Sequence, residues 1–188
     1  MDKKWLPLTV VLGAAGLAVL TVSLWPEEEK PPLPRTLCHG ALSRQTAELI
    51  DDGKGGEVSA EEWESKGQGG LTVFKGCGVK RADPGNDSPR GIFNLIVEDS
   101  RNDPGPRKNA VPLGPGATGW AIPEEASATL PAGCAARMGS TAPYIMVTLI
   151  VPAQEPEKKL VDRDTAIRNN TAIVREAATN LARIAGCG

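Results

Sequence analysis

The chain has 188 residues, with 21 basic and 23 acidic side chains and a formal net charge of −2. That balance excludes the basic footprint of a nucleic-acid binder, and the length suffices for one domain with a real core. One histidine, His39, and the absence of a G-x-S-x-G motif leave little material for the common catalytic constellations.

Residues 6–24, LPLTVVLGAAGLAVLTVSL, carry no charge. At about 1.5 Å per residue the run spans about 28 Å, close to the ~30 Å hydrocarbon core of a bilayer. Trp5 and Trp25 bracket it, as interfacial indoles do; Lys3 and Lys4 precede it, and Glu27, Glu28 and Glu29 follow. The lysines place the N-terminus in the cytoplasm and the rest of the chain outside. A cleaved signal peptide is the competing reading, but its apolar region is usually about 7–15 residues. The small-residue site at Thr21 and Ser23 is also followed poorly by Leu24 and Trp25. Residues 1–25 are therefore expected to be an uncleaved single-pass transmembrane anchor. Cys38 lies well beyond the run behind Arg35-Thr36-Leu37, which is no lipobox. Residues 26–36, PEEEKPPLPRT, contain four prolines and predict an extended spacer. Residues 37–188 form the extracytoplasmic domain.

LSRQTAELI, residues 42–50, puts Leu42, Thr46, Leu49 and Ile50 on one face and predicts a short amphipathic helix. DDGKGGEVSAEEW follows. Asp51, Gly56, Val58 and Glu62 occupy positions 1, 6, 8 and 12 of an EF-hand loop. Asp51, Ser59, Glu62 and the Glu57 carbonyl could ligate calcium, but positions 3 and 5 are Gly53 and Gly55, without side chains. Two ligands short, the stretch is expected to bind no metal. It predicts a glycine turn, with Ser59 and Glu62 as the capping box of a short helix. The acidic run Glu57, Glu61, Glu62 and Glu64 predicts a solvated face rather than a general acid–base pair.

Strands are predicted at 71–76, 92–98, 127–131 and 144–151, the last a continuous apolar run that belongs at the centre of the sheet. Loops rich in Pro, Gly, Asp and Asn are predicted at 78–91 and 99–119. GPGATG, residues 114–119, lacks the lysine of a phosphate loop. Lys75, Lys80, Arg81 and Arg90 gather around the first Gly-Cys stretch, and Arg101, Arg107 and Lys108 lie in the second loop. They could meet an anionic surface. Trp63 and Trp120 are the two tryptophans beyond the anchor, available as core anchors or as a ligand platform. DTAIRNNTAIVREAATNLARIAG predicts the clearest helix. Its stripe is Ile167, Thr171, Val174, Ala178, Leu181 and Ala185, widened by Ile173, Ala177 and Ile184, with Asp162 or Asp164 as N-cap and Gly186 at the C-terminal cap.

Cys38, Cys77, Cys134 and Cys187 all follow the anchor, and an even count in an oxidising compartment predicts two disulfides. None has C-x-x-C spacing, so neither a redox dithiol nor a zinc site is expected. LTVFKGCG and ATLPAGCA share a strand-to-Gly-Cys ending, each followed by a loop and a strong strand. Cys38 heads one predicted helix and Cys187 ends the other. This favours Cys38–Cys77 with Cys134–Cys187 over the two connectivities that would staple the halves together. The expected fold is α+β: a mostly antiparallel sheet with helices on one face, in two related modules.

An N-terminal anchor, a Pro/Glu spacer, and then LCHGALSRQTAELI, FKGCGV, GWAIPEEASATLPAGC and AATNLARIAGCG together resemble small uncharacterised actinobacterial envelope proteins of the streptomycete type. The L-C-x-x-L entry is loosely similar to a domain of unknown function in mycobacterial-type lipoproteins. His39 stands where an aromatic residue is expected. The likeness implies a cell-membrane location and brings no catalytic residue with it. The expectation is an envelope domain without cofactor that binds another envelope protein or an anionic wall polymer, through Lys75, Lys80, Arg81, Arg90, Trp63 or Trp120. A wall-modifying hydrolase with a carboxylate site at Glu61, Glu62 or Glu98 is the alternative, and a purely structural envelope protein is another.

Overall fold

The most apolar strand of the domain takes the middle of its sheet. In the computed structural model, residues 35–50, 56–65, 72–83, 86–103, 105–152 and 161–188 are described. In chain order they form β1 (Thr36–Leu37), β2 (Leu42–Ser43), helix α1 (Arg44–Ala47), β3 (Val58–Ser65), β4 (Phe74–Asp83) and β5 (Asn86–Ser100). Then come β6 (Val111–Pro112), β7 (Thr118–Ile122), β8 (Glu125–Thr129), α2 (Cys134–Arg137), β9 (Tyr144–Ile150) and α3 (Arg163–Ala185). The expected anchor and most of the spacer lie outside the described residues, as does Asp51. No helix among the described residues is long and apolar enough to cross a membrane.

β3 to β9 form one seven-stranded sheet in the order β3-β4-β5-β9-β8-β7-β6, with every pairing antiparallel. Two meanders, β3-β4-β5 and β6-β7-β8-β9, meet where Leu95 pairs with Leu149 and Val97 with Val147. β9 is the fourth of seven strands, as its unbroken apolar run predicts. Strand residues alternate between faces. Val79, Leu95, Val147, Leu149, Ala126 and Ala121 point to one face and are fully buried with the helix residues Ile173, Val174 and Ala177.

α3 lies on that face over β7, β8 and β9. Asp162 caps it, accepting from the Thr165 N–H at 3.0 Å, and Gly186 ends it at φ +68. The buried stripe is turned slightly from the predicted one: Asn170 and Ala182 face inward, and Ile184 is 56% exposed. Asn170 is tolerated there because its amide donates to the carbonyls of Ile122 and Pro123, both at 2.9 Å, which close the β7–β8 turn.

Four expectations need correction. The helix predicted at 42–50 is a single turn, because Leu42 and Ser43 pair with Leu37 and Thr36 and Ser43 then caps Thr46. The short helix expected after Ser59 is strand β3, paired with β4 along its whole length, from Val58↔Arg81 to Ser65↔Phe74. The predicted loop 78–91 holds the end of β4, to Asp83, and the start of β5, from Asn86, with Arg81 opposite Arg90. Loop 99–119 contains β6 and the start of β7. In each case cross-strand pairing outweighs the local preference for turn or helix.

Asp99, at the end of β5, is buried and ties three segments together. It accepts from the Thr72 N–H at 3.1 and 3.2 Å and from the Ser140 hydroxyl, while its own N–H donates to Val73 at 3.1 Å. Burial alone would raise its pKa, but these hydrogen bonds outweigh it and hold the carboxyl below the ordinary value of 3.8. A depressed folded-state pKa gives stability that is present above the unfolded value and lost as pH falls through the folded one. Melting temperature is therefore expected to drop below about pH 4. Asp99→Asn should cost about 1–3 kcal/mol at neutral pH and flatten that acid limb. An acid limb equally steep in the variant would remove Asp99 as its source.

Candidate functional site

Both predicted disulfides are present, Cys38–Cys77 with Cα atoms 5.1 Å apart and Cys134–Cys187 at 5.2 Å. The first positions the histidine. Cys77 pairs across the ladder with Glu62, so a bridge from Cys38 to Cys77 sets the next residue, His39, over β3. The chain turns back there through three left-handed residues, Cys38 and His39 at φ +57 and Gly40 at φ +81, closed by the Ala41 N–H on the Cys38 carbonyl at 2.9 Å. Left-handed φ at two side-chain-bearing residues in succession is strained, and the first of them, Cys38, is tied to β4 by its disulfide.

His39 is thereby gripped on two sides. Its backbone N–H donates to Glu62 Oε1 at 2.6 Å, and its Nδ1 lies 3.3 Å from Glu62 Oε2 and 3.7 Å from Glu64 Oε1. Nε2 is 3.4 Å from the Gly76 carbonyl. Glu64 also takes Lys75 Nζ at 2.7 Å, directly across the ladder. His39, Glu64 and Lys75 line one wall of a cavity of about 390 Å³, whose other walls include Met138, Leu181 and Ile184. Glu64 and Arg137, which also lines it, were not singled out from sequence as site residues. Their chain positions are far apart: Glu64 lies in β3, and Arg137 ends α2, which the Cys134–Cys187 bridge fastens beside the end of α3.

The basic residues read as a possible anionic-surface site are partnered within the fold. Lys80 pairs with Glu61. Arg81 is buried and donates to the carbonyls of Gly56 at 3.2 Å and Ile50 at 3.3 Å. Arg90 meets Asp83 at 3.2 Å and the Ala82 carbonyl at 3.4 Å. This end of the sheet is a salt-bridged surface rather than a positive one. The hydrogen bond from Lys80, and then the charge of its ammonium, also lower the Glu61 pKa. Ser59 and Glu62 lie three residues apart on strand β3 and therefore point to opposite faces. No cluster of three metal-ligating side chains occurs among the described residues.

The tryptophans sit on the sheet face away from α3, in one register row. That row runs Trp63↔Gly76↔Ile96↔Thr148↔Ser127↔Trp120 across β3, β4, β5, β9, β8 and β7. Five strand spacings separate the indoles, about 24 Å. Trp63 is 39% exposed and lies over β4; a Cβ on Gly76 would fall 2.0 Å from its ring. The glycine leaves room for the indole to lie flat on the strand. Trp120 is 7% exposed, with the Arg107 guanidinium 5.9 Å from its ring centre and Arg107 itself held by Glu125 at 2.8 Å. Trp120 thus anchors packing, while Trp63 offers an open ring. Glu98 lies on the same helix-free face, opposite Phe74 and Met146. No family model, curated protein or solved structure matches the chain.

Proposed function

We propose that the protein is a single-pass membrane protein of the cell envelope whose disulfide-bonded domain lies outside the membrane and binds a partner without catalysing a reaction. The disulfides carry this reading. All four cysteines follow the apolar run 6–24 and all four are bridged, a pattern that oxidising compartments favour. The charge order around the run, Lys3 and Lys4 before and Glu27 to Glu29 after, supports an N-terminus inside.

Two related modules are part of the reading, each disulfide fastening one cysteine-bearing segment to its own meander. Binding is favoured over hydrolysis because His39, Glu62, Glu64 and Lys75 hold one another. The helix-free sheet face supports a protein partner over an anionic polymer. Trp63 and Ile150 are exposed there at about two-fifths of their surface, while the nearby cations are paired with the sheet's own acids. A reporter enzyme active only outside the membrane, fused after Gly188, is expected to be active, and a cytoplasm-only reporter at the same place silent. The reverse pair of results would overturn the topology.

A further inference from the structure

Beside the same C-terminal turns of α3 that wall the His39 cavity, but lined by different residues, the geometry points to a second site: a cleft that binds a single-chain amphiphilic anion, with a phosphate or carboxylate head at Arg183 and an apolar body along the small residues of α3 and β8. The cleft holds about 810 Å³ and lies between the C-terminal half of α3 and the ends of β7, β8 and β9. That volume is within the ~300–1,000 Å³ of small-molecule sites. This inference stands apart from the membrane topology and from the sheet-face partner proposed above.

Its lining is mostly apolar and mostly small. Ala178 and Ala182 of α3 face Ala128 and Leu130 at the end of β8, and Tyr144 at the start of β9 completes the wall. Small side chains on both sides leave a slot instead of a packed seam. Ala128, Leu130 and Ala182 are buried there, so the slot has a dry floor. An alkyl or aryl body fits such a floor, because it gains burial without leaving polar groups unpaired.

Three charged side chains line the cleft, Arg175, Arg183 and Asp103. Arg175 is already engaged, donating to the carbonyls of Leu113 at 2.8 Å and Pro115 at 3.0 Å. It holds the 113–115 segment against α3 and so keeps that side of the cleft in place. Asp103 accepts from the Gly105 N–H at 2.9 Å. Arg183 makes no ion pair and no side-chain hydrogen bond among the described residues. Its place in the last turn of α3 complements the helix dipole, but that needs a charge only, not an open slot beside it. A guanidinium with all five donors available matches the paired oxygens of a phosphate or carboxylate.

The chain has one tyrosine, and it lines the cleft. Full-length protein in lipid nanodiscs, carrying 3-fluorotyrosine, therefore gives a single fluorine resonance at Tyr144. Hexyl phosphate is the probe, with inorganic phosphate, hexanol and hexyltrimethylammonium as comparisons. Hexyl phosphate is expected to move the resonance saturably, with inorganic phosphate at least tenfold weaker and the ammonium without effect. Arg183→Glu should weaken hexyl phosphate at least tenfold, and Thr179→Trp, which fills the cleft from an exposed position, should abolish the response. No saturable shift, an equal shift with the ammonium, inorganic phosphate as effective as its hexyl ester, or an unchanged response in Arg183→Glu would each overturn the proposal. The comparison of probes on the unaltered chain decides the matter even where a variant fails to fold.

Discussion

Replacing Cys134 and Cys187 together with serine is expected to lower stability by about 2–5 kcal/mol, and to loosen the end of α3 before anything else. The bridge closes a loop of 53 residues that contains the central strand β9 and the whole of α3. Cys134 is buried at the start of α2, and Cys187 follows the Gly186 cap, its N–H on the Ala182 carbonyl at 2.9 Å. Cutting the bridge frees the last turn of α3 from α2 while leaving Cys38–Cys77 and the β3-β4-β5 meander in place. Denaturant unfolding should show the lower midpoint. Amide exchange should rise first at residues 181–187, with smaller changes at 36–47. A loss below about 1 kcal/mol, or exchange rising first around Cys38, would contradict this account.

Gly119→Ala should be nearly as damaging, at roughly 2–5 kcal/mol when backbone strain and overpacking are combined. Gly119 sits in β7 at φ +150, where β8 passes close by. An added Cβ would lie 2.0 Å from the Ser127 carbonyl oxygen, 2.7 Å from Leu113 Cδ1 and 2.9 Å from Ala128 Cα. Two of those atoms are backbone in the neighbouring strand, so the β7–β8 ladder must part to admit it. The Leu113 N–H on the Gly119 carbonyl at 3.2 Å would be disturbed as well. Gly116→Ala is the control. It also has a left-handed φ, +79, but nothing lies within 4 Å of an added Cβ, so only the conformational cost of about 1–2 kcal/mol applies. Thermal melts of the two variants should differ clearly. Equal melting temperatures would show that close approach at Gly119 is not what limits this site.

Neither glycine announces its role in GPGATGW, because the clash at Gly119 is with a strand eight or nine residues further on. The same holds for Gly76. Read locally, FKGCG ends a strand. In the sheet, the missing side chain at Gly76 is the space occupied by Trp63 of the neighbouring strand, and β4 continues to Asp83.

The elements whose signal is local and repeated are readable from the chain alone. α3 is legible in its period, its two candidate caps Asp162 and Asp164 and its Gly186 terminus, and β9 in an apolar run that belongs at the centre. The disulfide pairing followed from the duplicated Gly-Cys endings. The remaining features depend on which strands become neighbours. VSAEEWES is too polar to declare itself a strand, and it is one because β4 offers a partner for all eight residues. Leu42 and Ser43 leave the predicted helix because β1 pairs with them. Lys75, Lys80, Arg81 and Arg90 resemble a cationic surface in one dimension; in three, Lys75, Lys80 and Arg90 pair with Glu64, Glu61 and Asp83, and Arg81 is buried with its guanidinium on two carbonyls. The cleft at Arg183 lies deeper still, assembled from α3, β7, β8 and β9, and a one-dimensional pattern carries no record of contacts across that separation.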